Sequence, residues 1–145
     1  MSLTWPAALW LFLLLAVCVA QLEPVGCRSY RPAQVNLKGT LSRKTFAGPP
    51  NYQDIRKGDK AETYWLLNLD SPICVNQDDP APDVNPGREG VRKVQLVIRT
   101  EDYARFTPIV GKRVVATGSL IGEITGHHHT PVLLSVTSLE EPHWR

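Results

Sequence analysis

In four stretches of this chain, hydrophobic side chains recur at every second position. Val35, Leu37, Gly39 and Leu41 alternate with Asn36, Lys38, Thr40 and Ser42, a period of two that marks a strand with one buried face. Val94, Leu96 and Ile98 repeat the pattern against Lys93, Gln95, Val97 and Arg99. Val114, Ala116, Gly118 and Leu120 form another such run, and Val132, Leu134 and Val136 the last. A further stretch, Thr63 to Leu69, is apolar on both faces and rich in aromatics, which predicts a central strand. Tyr64 and Trp65 fall on its opposite faces, one for the core and one able to offer a stacking surface to a sugar or base. Between the third and fourth strands, Thr100 to Phe106 carries acids at Glu101 and Asp102 and is followed by Pro108 and Gly111. That predicts one short helix with Thr100 as its N-cap.

Three strands, a short helix and two strands is the order of a small five-stranded Greek-key barrel, the OB-fold. A small β-sandwich shares the strand count, but the order favours the all-β barrel. Gly39 and Gly118 fall in mid-strand on the inward register, where a small barrel needs sharp bends or close backbone approach. The connections expected as loops are residues 43–62, 76–90 and 122–131. The second holds Pro80, Pro82 and Pro86 with Gly87 and Gly90, which exclude a strand or helix there.

The N-terminus has another character. Residues 7–20 are an unbroken apolar run of fourteen, short of the about 20 residues that span a membrane but suited to a secretory signal. Cys18-Val19-Ala20 places small residues before a cut after Ala20. Met1 to Pro6 carries no Lys or Arg, so an uncleaved N-terminal anchor is the alternative. The expected organisation is a signal peptide over 1–20, an N-terminal segment over 21–33, the barrel over 34–137 and a tail over 138–145. Export implies a periplasmic or extracellular location. Removing 1–20 takes Cys18 away and leaves Cys27 and Cys74, an even pair that an oxidising compartment favours joining.

Composition narrows the function. At 43% hydrophobic and 21% charged, the 145-residue chain is an ordinary globular sequence. Its net charge of +2 gives no electrostatic footprint for nucleic acid. Asp78, Asp79 and Asp83 lack calcium-loop spacing and are interrupted by prolines. No nucleophile elbow, zinc-protease helix or phosphate-cradling loop occurs.

In a barrel of this type the loops joining strands one to two and four to five flank the binding face. Here they hold Asn51-Tyr52 and Glu123 with His127-His128-His129, so the candidate binding residues are Asn51, Tyr52, Glu123, His127, His128 and His129. His127 and His129, on the same side of an extended segment, could bind zinc or copper with Glu123 or His143. Otherwise no cofactor is expected. The plainer reading has one imidazole bonding the loop backbone, one packing on Tyr52 or Trp65, and one solvated.

Several segments together resemble a known family. Cys27-Arg28-Ser29-Tyr30-Arg31-Pro32, Leu37-Lys38-Gly39-Thr40-Leu41, Pro49-Pro50-Asn51-Tyr52, Tyr64 to Val75, and Thr125-Gly126-His127-His128-His129-Thr130-Pro131-Val132-Leu133-Leu134 are similar to a bacterial, exported domain-of-unknown-function family, DUF4431. The resemblance runs from Cys27 to about Val136. It implies export and both cysteines as family positions, and it carries no assigned reaction. The expectation is a monomeric, non-enzymatic binding module for a protein or a cell-envelope saccharide. The alternatives are a metal-binding protein using the His127–His129 loop, or an envelope hydrolase in which a histidine works with Glu123.

Overall fold

A computed structural model describes residues 26–142. The proposed leader, Cys18 and His143 lie outside those residues. Five strands, β1 (Val35–Ala47), β2 (Ala61–Val75), β3 (Arg88–Val97), β4 (Arg113–Gly122) and β5 (Val132–Glu140), close into a barrel in the order β1-β2-β3-β5-β4. All pairings are antiparallel except β3 with β5. The β1–β4 pairing closes the barrel, as the OB-like reading requires and a two-sheet sandwich does not.

The core is the inward register of these strands. Leu37, Leu41, Leu67, Val94, Val114, Ala116, Leu120, Val132 and Leu134 are buried, with Phe106 from the short helix α1 (Tyr103–Phe106) against them. Trp65 is the buried member of the aromatic pair, its ring edge meeting Tyr103 at 5.4 Å, and Tyr64 faces outward.

The strands run further than alternation alone indicated. β1 continues to Ala47 and β2 begins at Ala61, so the first loop is 48–60 rather than 43–62. Arg43, Lys44 and Thr45 are all exposed, and a strand end wet on both faces has no hydrophobic period to read. β3 begins at Arg88, inside the segment expected to be loop, and β5 extends through Ser138 to Glu140 into the expected tail. Thr100 does not cap the helix. It lies within a 3-10 turn, Thr100–Asp102, whose N-cap is Arg99 with no side-chain cap bond.

The N-terminal segment is tied down covalently. Cys27 and Cys74 form a disulfide, the Arg28 N–H donates to Cys74 O at 2.8 Å, and the Asn76 N–H donates to Arg28 O at 2.8 Å. Tyr30, buried, donates its hydroxyl to Pro86 O at 2.8 Å. The long 76–87 loop is thereby held against the barrel wall.

Candidate functional site

The site lies on the outer face of β1, β2 and β3, where the two flanking loops meet. Register places Phe46 opposite Glu62, Lys44 opposite Tyr64, and Leu66 opposite Gln95. Phe46, Glu62, Tyr64, Leu66 and Gln95 therefore share one face. The loop 123–131 folds over this face and covers its centre, which explains why Leu66 and Leu133 are buried outside the main core.

Gln95 is the clamp that holds the loop down. Its Oε1 accepts from the His129 N–H at 2.8 Å and its Nε2 donates to His127 O at 2.9 Å. Its own N–H donates to Thr130 Oγ1 at 2.8 Å, and that hydroxyl donates to Val132 O at 2.7 Å. Buried polar groups need such partners, and Gln95 and Thr130 are both buried. In sequence Gln95 occupies an ordinary outward position.

The loop 48–60 is organised around Asp59. Its carboxylate accepts from the backbone N–H groups of Asn51, Gln53 and Asp54 at 2.9, 2.8 and 2.9 Å, and from Asn51 Nδ2 at 3.1 Å. Those donors stabilise the charged form and hold the Asp59 carboxyl below the usual range. Asn51, a candidate contact residue, stays exposed but directs its side-chain amide to Asp59 within its own loop. Tyr52 is the one non-glycine with positive φ among the described residues, at 57°. Such left-handed backbone in a bulky residue is uncommon and clusters at functional positions. Its ring lies against Gly126, where a Cβ would come within 3.2 Å of Tyr52 Cε1, so the bare glycine lets the two loops touch.

The contact between the loops centres on His127. Its Nδ1 lies 2.9 Å from Glu62 Oε2 and 2.9 Å from the Tyr64 hydroxyl, which itself donates to Glu62 Oε2 at 2.7 Å. Its Nε2 lies 3.2 Å from the Tyr52 hydroxyl, and the two rings meet edge to face at 5.4 Å. These bonds fix the proton positions. An ionised carboxylate only accepts and the Tyr64 proton is already directed at it, so Nδ1 carries the hydrogen. In the neutral imidazole Nε2 is then a bare acceptor, and the Tyr52 hydroxyl is its donor. Hydrogen bonds from Tyr64 and His127 lower the Glu62 carboxyl. Burial, then the Glu62 hydrogen bond and charge, raises the Tyr64 phenol.

The other two histidines have separate roles. His128 Nδ1 accepts from the Ile124 N–H at 2.9 Å, closing the loop on itself. His129 stacks face to face on Phe46 at 3.9 Å and lies 4.8 Å from the Tyr64 ring. Its burial holds the imidazole below its ordinary value, and its Nε2 is buried without a hydrogen-bond partner. Glu123 is exposed, and the acid that meets a histidine is Glu62. The sequence concealed Glu62 at the end of the charged run Arg56 to Glu62. Its one signal is that it stands two residues before Tyr64, on the same strand face. Among the described residues, the one group of three metal-ligating side chains with converging atoms is Cys27, Cys74 and Glu89, two of which are consumed by the disulfide.

No curated protein and no solved structure matches the chain. Residues 93–140 match the family model described as domain of unknown function, DUF4431, and this stretch, from Lys93 within β3 to the end of β5, with Gln95 and the histidine loop inside it, is DUF4431-like.

Proposed function

We propose that this barrel is an exported, non-enzymatic binding module whose contact surface is the pole around His127, and that its ligand is a cell-envelope saccharide, with a protein segment as the competing ligand. The observation that carries the reading is the hold on His127. A side chain 47% exposed is nevertheless engaged at both ring nitrogens, by Glu62, Tyr64 and Tyr52. Such preorganisation lowers the ordering cost of binding. Tyr52, 39% exposed, adds an amphipathic ring suited to the apolar face of a sugar. A net charge of +2 favours a ligand recognised by shape and hydrogen bonds over a polyanion. Export is supported by the apolar run at 7–20, and the disulfide is compatible with it.

Retention of labelled envelope fractions on immobilised protein tests this reading. Tyr52→Ala with His127→Ala is expected to lower retention at least tenfold, the loss of about 1.4 kcal/mol or more expected when an aromatic anchor is removed. Equal retention by wild type and variant contradicts it. A metal site on His127 and His129 is the alternative, favoured by the unpartnered His129 Nε2, and requires His127 to give up Glu62 or Tyr52. Calorimetric zinc or copper binding tighter than about 10 μM, abolished by His129→Ala, would select it.

A further inference from the structure

The geometry points to Tyr52 as a nucleophile toward activated acyl esters, with His127 as the base that takes its proton. Three groups stand in the order that activates a weak hydroxyl: nucleophile, base and orienting carboxylate. The Tyr52 hydroxyl is 3.2 Å from His127 Nε2 and Glu62 Oε2 is 2.9 Å from His127 Nδ1, both within the range for a working base. The tautomer is the one required, because the hydrogen bonds to Glu62 and Tyr64 place the imidazole proton on Nδ1 and leave Nε2 bare.

The hold on His127 that preorganises the pole for binding also aims its Nε2 at the Tyr52 hydroxyl and backs the ring with a carboxylate. Tyr52 also sits on left-handed backbone, φ 57°, uncommon for a bulky residue, and its exposed ring meets the histidine edge to face. The neighbouring phenol is unsuited to the task. Tyr64 donates to Glu62, and a carboxylate beside it opposes phenolate formation.

In the step, Tyr52 Oη bonds to the acyl carbon while its proton passes to His127 Nε2. The ester C–O bond breaks and the leaving oxygen departs with the electron pair, later taking its proton from solvent. The imidazolium is stabilised by Glu62, and the product is an acyl-tyrosine ester. The inference stands apart from the binding proposal, since a small ester reports on Tyr52 whether or not an envelope component is retained.

The probe is p-nitrophenyl acetate on the folded protein, with released nitrophenolate followed by absorbance and the acetylated residue located by peptide mass spectrometry. Tyr103 is an internal control, being 38% exposed against 39% for Tyr52. Acetylation of Tyr52 is expected to be about 100-fold faster than that of Tyr103, the lower range of general-base assistance. In His127→Ala it should fall to the Tyr103 rate. Equal rates at the two tyrosines of the wild type overturn the proposal whatever the variant does. Nitrophenolate release that leaves Tyr52 unmodified and persists in Tyr52→Phe overturns it too, because that assigns the nucleophile to another side chain.

Discussion

Replacing Gly118 by alanine is expected to destabilise the barrel by about 3 kcal/mol or more, the upper range for forcing atoms into a packed interior. A Cβ at Gly118 would sit on the carbonyl oxygen of Ser135 and crowd the Cα of Val136. Both obstacles belong to the backbone of β5, so relief requires separating two paired strands. The register between β4 and β5 shifts at this point, between Thr117 and Gly118. Gly39 is in the same position on β1, where an added Cβ would meet the carbonyl of Asn68, and the same loss is expected there. Ser119→Ala, beside Gly118 and only partly buried, serves as the control and should stay within about 0.5 kcal/mol. Denaturant titration of the three variants measures the difference, and a Gly118→Ala cost below about 1 kcal/mol would refute the close-approach account.

Cys27→Ala with Cys74→Ala is expected to lower stability by about 4 kcal/mol, the chain-entropy value for the 47-residue separation that the bridge spans. That is a large fraction of the 5–15 kcal/mol typical of a domain. The hydrogen bonds of His127 run to Glu62, Tyr64 and Tyr52 and involve neither cysteine, so the altered protein should keep the pole where it remains folded. Residues 28–30 stay anchored in part by the Arg28 backbone bonds and by Tyr30, which argues for a weakened barrel over a lost one. Comparison of denaturation midpoints for the wild type and the double variant decides the matter, and a loss under about 1 kcal/mol would contradict it.

Much of the fold was legible because most strands have one wet face. Arg113 to Gly122 alternates without a break in burial, and the inward glycines at 39 and 118 already spoke for a closed sheet. Strand ends were not legible where both faces meet solvent, as at Arg43–Thr45, or where β3 starts directly after a proline- and glycine-rich loop. Thr100 has the chemistry of a cap, but the chain turns one residue earlier, at Arg99.

The site was legible to the extent that its residues are close in sequence or on the loops that barrel topology brings together. Tyr52 and His127 are 75 positions apart, and only the fold-level argument joined them. Gln95 and Glu62 escaped notice for a shared reason. Each is a polar residue at an outward strand position, which normally means solvent, and only the three-dimensional path of the 123–131 loop turns one into a buried clamp and the other into the partner of His127. Asn51 shows the reverse. A polar residue beside a candidate aromatic is consumed by Asp59 inside its own loop.

The central claim is that Glu62, His127 and Tyr52 form one oriented chain at this pole. It is tested most directly by nitrogen-15 NMR of the His127 ring in its neutral state. The account predicts a single dominant tautomer with hydrogen on Nδ1 and an unprotonated Nε2, shifting toward a tautomer mixture in Glu62→Gln, whose amide can also donate. A wild-type ring protonated on Nε2, or averaging between tautomers as a free imidazole does, would contradict it.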